Sequence, residues 1–526
     1  MTAKRAVKIV VFVLFALAIA GSLTVLFLPY HSGTYTKETV QGMYHQPDNS
    51  VQVAFFGTSA PLSAFSPVKL YDEYGIGGYN CSTSVQPVIM SYYLLKDLLR
   101  HQDKSLQVAV IDPSVLIDTT EAEKRSVWAE RVLISMNPSL VKLEATGSLI
   151  DSYPVEPIEQ YIPILKYHSR WNSLTEADFD LQKSVSDTAF SRGQYIRYSA
   201  NVENDENAVA TTSYNLGITE EIDHDLGELE NRWDQDNKKY LDEFMELCEE
   251  QGIQVIFTKV PRKDWDDSMH DSMKYLADSY GVPYLDFNMP EVFDTCELSY
   301  ATDFVDNKHP NIHGSQKITH YLGEYLKGAY DFEELDASKI AAMDADVEKY
   351  KQCEEDGELL YCTDLVDYLE LLKRDRYTVF IAVRGDASAG LTDEAREKLV
   401  ELGLKNLATI GQDEAYLAIM NGGELYTGRH AGNPEESVKL SGQYKDGNLV
   451  TKANFQKGAS IKPLFKVESG GTNSGDFALI KVDGDDLSEN GQGINFVVFN
   501  RDSGELLDTA CFNTHIGIER TSDRSA

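Results

Sequence analysis

An aspartate and a histidine lie three residues apart in the stretch FVDNKHPNIHGSQKITHYL, residues 304–322. When a carboxylate pins one ring nitrogen of a histidine, the other nitrogen is free to take a proton. Asp306 and His309 could therefore form a general base and its orienting partner, provided that a nucleophile lies within reach. The alternative is a solvated loop in which this spacing has no chemical role.

A candidate nucleophile lies far upstream, in VQVAFFGTSAPLSAFSP, residues 51–67. Gly57 permits a tight turn directly after an apolar run, and Ser59 opens the next segment. A serine at that place would hold its hydroxyl above the carboxyl edge of a sheet, where ligands of open α/β folds bind. A serine that only caps a helix would give the same local sequence.

The elements that must position these residues are alternating strands and helices. Apolar runs predict buried parallel strands, and helical spacing between them predicts helices over 87–100 and 233–252. This alternation is typical of a doubly wound α/β sheet. Residues from about 113 to 225 interrupt it and predict an insertion over the edge of the sheet. The predicted strands are 51–56, 107–111, 254–259 and 283–287.

The amino-acid composition changes after Tyr330. Residues 331–360 are polar and predict a helical connector. Residues 361–526 then predict a separate C-terminal α/β or α+β domain, with a helix over 391–403 that ends at a glycine. Its predicted strands are 377–385, 477–484 and 493–500.

The N-terminus predicts a membrane anchor. Residues 9–29 are uncharged and long enough to cross a bilayer as a helix, with a basic tail at 1–8 and a linker at 30–49. Because the basic residues precede the span, we expect a single-pass plasma-membrane protein with a cytoplasmic N-terminus and the bulk outside. A signal peptide cleaved after Ala18-Ile19-Ala20 is the alternative.

The net charge of −36 and the pI near 4.6 argue against nucleic acid as a partner. Six cysteines are too few for a disulfide framework in a chain of 526 residues, although Cys353 and Cys362 are close enough in sequence to bridge. The chain contains no CxxC or HExxH motif, so no metal or other cofactor is expected.

The strand–Gly-x-Ser start and the Asp-x-x-His end resemble the SGNH/GDSL hydrolase superfamily over residues 50–330. The insertion and the anchor resemble its cell-envelope branch, which includes the D-alanine transfer protein and the exopolysaccharide O-acetyltransferases. The resemblance implies a flavodoxin-like domain in which Ser59 is the nucleophile, His309 the base and Asp306 its partner.

Two positions depart from the pattern of that superfamily. Its second block has a glycine oxyanion donor after an asparagine, whereas GGYNCSTSVQP (77–87) offers Asn80 and then Ser84 and Val85. The expected oxyanion donors are therefore the N–H groups of Ser59, Ser84 and Val85, with Asn80 near the substrate. The third block has an asparagine, whereas this chain has Asp112, which cannot donate when ionised. A missing donor would cost about 3 kcal/mol of transition-state stabilisation.

The insertion contains YIPILKYHSRWNSLTEADF, residues 161–179. His168, Arg170 and Trp171 could line a substrate groove, because arginine offers a fork to phosphate or carboxylate and tryptophan offers a stacking face to a sugar. The alternative is a buried tryptophan beside a structural arginine ion pair.

Residues 468–515 and 377–407 resemble the two halves of the interleukin-like EMT inducer (ILEI/PANDER) domain, in the opposite order. A circular permutation would leave that arrangement. Relatives of that domain include secreted signalling proteins and a sugar-binding stem domain of a glycosyltransferase, so the resemblance implies a glycan-binding role, with a simple spacer as the alternative.

Two functions follow. The first is an outward-facing serine acyl-ester hydrolase or O-acyltransferase that acts on an envelope glycan or acylated polymer. The second is a catalytically weak glycan-binding scaffold that assists a membrane-bound O-acyltransferase. The sequence does not choose the acyl group or its acceptor.

Overall fold

The computed structural model describes residues 3–28, 35–117, 122–174, 176–179, 185, 188–198, 233–445, 448–451 and 464–521. These residues form two compact units. The first contains the described residues up to Arg197 and those from 233 to Gln352, and the second contains Tyr198 and the described residues from Cys353 onward.

Five parallel strands form the sheet of the first unit, in the order β2-β1-β3-β4-β5. The four strands that the apolar runs predict are confirmed within two residues at each end. The fifth, β2, was not predicted because its three residues, GYN, carry no apolar pattern. The strands are β1 Val53–Phe56, β2 Gly78–Asn80, β3 Val108–Ile111, β4 Gln254–Lys259 and β5 Tyr284–Asp286.

Both faces of this sheet are covered. Val53 and Phe55 pack into one apolar cluster and Ala54 and Phe56 into another, and all four are 0% exposed. Side chains of a strand alternate between faces, so a strand that is apolar at every position must be buried on both sides. The helices of the unit that follow or precede these strands are Thr36–Met43, Ser59–Ala64, Pro67–Tyr74, Val88–Gln102, Gln235–Gln251, Asp267–Tyr280, Pro290–Thr295 and Ile312–Ala329.

β1 lies between β2 and β3. The chain leaves β1 toward one edge of the sheet to form β2 and then crosses to the other side of β1 to form β3, so the direction of strand addition reverses between β1 and β3. In open parallel sheets, the crevice at this reversal, beyond the carboxyl ends of the strands, is where ligands bind. Ser59 follows β1 and Asp112 follows β3, so both lie at this reversal.

The insertion differs in part from its prediction. The helix Leu140–Ser152 packs on the helix Val88–Gln102, on a face of the sheet rather than over its edge. Among the described residues of the insertion, the returning stretch reaches the edge, where the Asn80 N–H donates to the Arg192 carbonyl oxygen at 2.9 Å. Residues 199–232 lie outside the described part of the chain. The described helices of the insertion are Ala122–Ser135, Leu140–Ser152, Pro157–Tyr161, Ile164–Tyr167 and Glu176–Phe179.

A helix from Ala3 to Phe27 opens the chain. Its span Val7–Thr24 is long and apolar enough to cross a membrane, and none of it is buried in the protein. The helix thus covers residues 9–27 of the span that the sequence predicts; Leu28 follows the helix, and residue 29 lies outside the described residues.

The second unit is built around a ten-stranded sheet in which, among the described strands, only β6 and β11 pair in parallel. Its architecture is therefore α+β, because the strands return through hairpins and not through crossover helices. The predicted helix is confirmed as Asp393–Glu401, and three strands match predictions. The strands are β6 Tyr377–Arg384, β7 Ala415–Asn421, β8 Glu424–Ala431, β9 Ser437–Lys445, β10 Asn448–Thr451, β11 Leu464–Gly470, β12 Phe477–Val482, β13 Asp485–Asp486, β14 Gly493–Asn500 and β15 Leu506–Phe512.

The predicted connector is a single helix, Ala337–Tyr361. The short helix Leu365–Leu371 follows it, and another, Lys405–Ala408, comes after the helix Asp393–Glu401. Cys353 lies inside the long helix and Cys362 directly follows it, and both are free thiols. Nine residues of helix span about 14 Å, which is too far for a disulfide. The possibility of a bridge between them is therefore wrong for this conformation.

Candidate active site

Ser59, His309 and Asp306 lie in one hydrogen-bonded line. The Ser59 Oγ is 2.8 Å from His309 Nε2, and His309 Nδ1 is 2.7 Å from Asp306 Oδ2. The serine and the histidine are 250 residues apart in sequence. Both are hydrogen-bond distances, so Nε2 can take a proton from Ser59 while Asp306 holds the N–H at Nδ1.

The loop that carries the histidine is held by its own backbone. Asp306 Oδ1 accepts from the N–H groups of Lys308 and His309, each at 2.9 Å, so one carboxylate oxygen orients the loop while the other orients the ring. The Val305 N–H donates to the His309 carbonyl oxygen at 2.9 Å. Asn311 then caps the helix Ile312–Ala329 with its side chain. The carboxylate–imidazole pair is therefore fixed before any substrate arrives.

The electrostatics keep Asp306 ionised. Burial opposes ionisation, but the hydrogen bond and charge of His309 and the two backbone N–H donors outweigh it, and they lower the pKa of Asp306 to about 2. The side chain of His309 is 12% exposed and that of Asp306 is 44% exposed. A carboxylate that stays negative across the working pH range can stabilise an imidazolium as it forms.

Gly57 makes the turn that brings Ser59 above the sheet. Its φ is 153°, and a Cβ at this position would lie 2.8 Å from Pro61 Cγ and 3.2 Å from Asp112 Cβ. Ser59 is then the first residue of the helix Ser59–Ala64. N–H groups in the first turn of a helix have no partner inside the helix, so they point toward any negative charge that develops there.

The segment expected to complete the oxyanion hole lies beside this turn, because the Thr83 N–H donates to the Gly57 carbonyl oxygen at 3.2 Å. Val85 has a φ of 50°, in the left-handed region that favours glycine. Position 85 therefore has a backbone conformation that glycine adopts readily, although the side chain is valine. Ser84 and Val85 are both half-buried.

Asn80 does not face a substrate, and that expectation is wrong. Its side chain is 0% exposed, and its amide donates to the carbonyl oxygens of Pro61 and Phe65 at 2.9 and 3.0 Å. Its Oδ1 accepts from the Ser82 N–H at 3.0 Å. Asn80 ties the helix that begins at Ser59 to the edge strand, which is a positioning role.

Asp112 is paired with a lysine that the sequence did not single out. Lys259 Nζ lies 3.0 Å from Asp112 Oδ2 and 2.8 Å from Ser114 Oγ, and both charged side chains are almost fully buried. Asp112 Oδ1 accepts from the Ser114 N–H at 2.9 Å. The Asp112 carboxylate accepts hydrogen bonds from Lys259 and from the Ser114 N–H, so it stabilises the fold next to the Gly57 turn. It offers no hydrogen-bond donor to an oxyanion. Lys259 is the last residue of a predicted strand, and no neighbouring sequence pattern indicates that it pairs with Asp112.

Arg197 was also missed. Its Nε donates to Ser63 Oγ at 2.9 Å, and its carbonyl oxygen accepts from the Ile312 N–H at 2.8 Å. Its guanidinium stacks on Tyr195 at 4.4 Å. Burial lowers the pKa of Arg197, while the negative charge of Asp306 and the Tyr195 hydroxyl oppose that shift. Arg197 lies in a stretch with no periodic pattern, so the sequence offers no sign of its role.

The predicted groove residues in the insertion do not form a ligand fork. Arg170 is committed to the carbonyl oxygens of Phe27 and Leu28 and to Asp178, an ion pair of 2.8 Å. His168 Nδ1 lies 2.8 Å from the Leu165 carbonyl oxygen. The structural alternative is therefore right for Arg170, but Trp171 is 70% exposed and not buried. Among the described residues, no group of three or more His, Cys, Asp or Glu side chains could hold a metal ion.

Residues 345–424 match the family model of the interleukin-like EMT inducer. The match covers the end of the long helix, β6, the helix Asp393–Glu401 and β7, and it includes the predicted half at 377–407. The permuted second half at 468–515 stays a prediction. No curated protein matches the chain.

Proposed function

We propose that the protein is a serine acyl-ester hydrolase or O-acyltransferase of the SGNH/GDSL type. The observation that carries this proposal is the line from Ser59 Oγ through His309 to Asp306, with distances of 2.8 and 2.7 Å. The strand order β2-β1-β3-β4-β5, which flavodoxin-like sheets share, and the position of the serine at the reversal of that order support it.

In the proposed reaction, Ser59 Oγ attacks the carbonyl carbon of an acyl ester while His309 Nε2 takes the hydroxyl proton. The N–H groups of Ser59 and of the turn at Ser84 and Val85 receive the oxyanion. The intermediate collapses to an acyl-enzyme, and His309 returns the proton to the departing alkoxide. Water or a sugar hydroxyl then loses a proton to His309 and attacks the acyl carbon, and His309 gives that proton to Ser59 Oγ as the bond between the serine and the acyl group breaks.

The proposed setting is the outer face of the plasma membrane, with the helix Ala3–Phe27 as a single-pass anchor and the N-terminus in the cytoplasm. Its length and apolar composition and the basic residues before it support this orientation. The proposed substrate is an acylated envelope glycopolymer, with an acyl donor supplied by a membrane-bound O-acyltransferase if the reaction is transfer. No cofactor is needed for this chemistry.

A catalytically weak glycan-binding scaffold is the second candidate. The commitment of Asp112 to Lys259 favours it, because the third oxyanion donor of the superfamily has no equivalent in that pair. The proposed glycan-binding role of residues 361–526 would suit either function.

Labelling with a fluorophosphonate probe tests the proposal, because the probe reacts only with an activated serine. We expect the wild-type chain to be labelled, Ser59→Ala to be unlabelled and Ser338→Ala, an exposed serine in the first turn of the helix Ala337–Tyr361, to be labelled like wild type. A folded wild-type chain that stays unlabelled beside a labelled control esterase would reject the enzyme and leave the scaffold.

A further inference from the structure

The exposed apolar surface of the N-terminal helix ends at a definite position. The described side chains from Val7 to Leu23 are exposed, whereas Leu28 is only 5% exposed. The apolar span Val7–Thr24 has 18 residues and is about 27 Å long, close to the thickness of a bilayer core, about 30 Å. If the helix spans a bilayer, the lipid headgroups lie level with Thr24 to Leu28.

A segment of the insertion packs around that end of the helix. Its short helices Ile164–Tyr167, His168–Asn172 and Glu176–Phe179 all contact the N-terminal helix. We name the described residues 157–174 and 176–179 the collar. A cavity of about 610 Å³ between the helix end and the insertion is lined by both of them.

Arg170 joins the collar to the helix end. It donates to the carbonyl oxygens of Phe27 and Leu28 at 2.8 and 2.7 Å. The last carbonyl groups of a helix have no partner within the helix, and a cation there also complements the helix dipole. The collar is therefore fixed at the level where the exposed apolar surface of the helix stops.

Two basic side chains of the collar pair with buried carboxylates. Arg170 pairs with Asp178, whose side chain is 2% exposed, and Lys166 pairs with Glu130, whose side chain is 5% exposed. In a soluble surface segment, arginine and lysine face water and large apolar groups are covered. In the collar, the side chains of Arg170 and Lys166 are 22% and 36% exposed, which is less than its large apolar side chains.

Large apolar side chains cover the outside of the collar. Trp171 and Phe179 are 70% and 68% exposed, and four more exceed 40%. Contiguous exposed apolar groups mark a binding surface, and aromatic rings with aliphatic neighbours are typical of segments that lie in the headgroup–acyl boundary. The other four are Ile158, Tyr161, Ile162 and Leu165.

We propose that the collar lies in the headgroup–acyl boundary of the phospholipid bilayer, as a second membrane contact beside the anchor. This inference rests on the proposed membrane anchoring but not on the proposed reaction. Continuity with the end of the spanning helix favours lipid over a second copy of the chain or a membrane protein, because the three collar helices that contact the N-terminal helix carry the exposed side chains of Leu165, Trp171 and Phe179. The collar holds the first unit at the membrane surface and restricts its rotation about the anchor.

Depth measurements on the full-length chain in phosphatidylcholine nanodiscs test the proposal. A nitroxide label is placed in turn at Ile158→Cys, Leu165→Cys, Val13→Cys in the anchor and Ile340→Cys, an exposed isoleucine of the long helix. The native cysteines are buried or half-buried, so the introduced thiol is the one that reacts first. Collision rates with oxygen, which partitions into lipid, and with a water-soluble nickel chelate give the depth of each label.

We expect labels at 158 and 165 to collide several-fold more with oxygen than with the chelate, as at 13, while the label at 340 shows the opposite. Water-like values at 158 and 165 with a lipid-like value at 13 overturn the collar and leave the anchor. Low collision with both reagents at 158 and 165 means protein contact, and it overturns the choice of lipid. A water-like value at 13 removes the anchor and the collar together, whatever the probe labelling of Ser59 shows.

Discussion

Replacing Asp306 by asparagine separates the chemical role of this residue from its structural one. An asparagine retains an oxygen that can accept from the backbone N–H groups of Lys308 and His309, which Asp306 now receives at 2.9 Å. Its amide nitrogen cannot accept from His309 Nδ1, and it carries no charge to stabilise the imidazolium. The ring is then free to place its proton on Nε2, which faces Ser59 and must be empty to act as a base.

The structure sets the size of both effects. In a Ser–His–Asp triad this change costs about 10⁴ in rate, and because Asp306 is 44% exposed we expect about 10³, or roughly 4 kcal/mol of activation free energy. A pKa lowered from 3.8 to about 2 corresponds to about 2.4 kcal/mol at full strength, and solvent screening leaves about 1 kcal/mol. A lowered pKa stabilises the fold above pH 4, and that contribution is lost as the pH falls toward 2.

The assay is the second-order rate of fluorophosphonate labelling, with urea unfolding of the same samples at pH 7 and pH 3. Asp264→Asn, an exposed carboxylate whose partner is Arg262, is the matched control and should label like wild type. We expect Asp306→Asn to lose about 10³ in labelling rate and about 1 kcal/mol in unfolding free energy at pH 7, with a smaller difference at pH 3. A labelling rate within threefold of wild type would refute the assignment of Asp306 as the partner of His309.

Three further changes test the supports of the site. Gly57→Ala should reduce labelling at least 100-fold, because its Cβ would lie 2.8 Å from Pro61 Cγ; wild-type labelling would show that the turn adapts. Val85→Gly should keep labelling and leave the urea midpoint nearly unchanged, since relief of left-handed strain offsets the added freedom of the unfolded chain; loss of labelling would mean that the valine side chain, and not the backbone N–H, is needed. Lys259→Met should cost about 3 kcal/mol in urea unfolding, because it leaves Asp112 buried and unpaired, whereas Asp112→Leu with Lys259→Met should recover most of it; equal losses would contradict a coupled pair.

The parts of the site that the sequence predicts are those with a local signature. A glycine turn after an apolar strand and an aspartate three residues before a histidine each restrict their own neighbourhood, and the parallel sheet brings the two together. Four strands of the first unit follow from apolar runs for the same reason. The strand β2 does not, because three residues carry too little pattern to register.

The rest depends on partners that lie far away in sequence. Lys259 and Asp112 are 147 residues apart, and each looks ordinary at the end of its strand. The sequence suggests Arg170 as a ligand fork, but its guanidinium donates to carbonyl groups at the end of the N-terminal helix, more than 140 residues upstream. Asn80 likewise uses its side-chain amide within the fold, where it donates to the carbonyl oxygens of Pro61 and Phe65. Polar side chains can be counted from a sequence, but only packing decides which of them are already satisfied.

The central claim is that His309 activates Ser59 to carry an acyl group, and the most direct measurement is the mass of the trapped acyl-enzyme. The chain is mixed with 4-nitrophenyl acetate, quenched in acid within seconds and digested, and the peptide 38–69 is fragmented to locate the adduct. We predict one acetyl group on Ser59 in the wild-type chain and none in His309→Ala. An acetyl group on another residue, or equal acetylation of Ser59 without His309, would contradict the account.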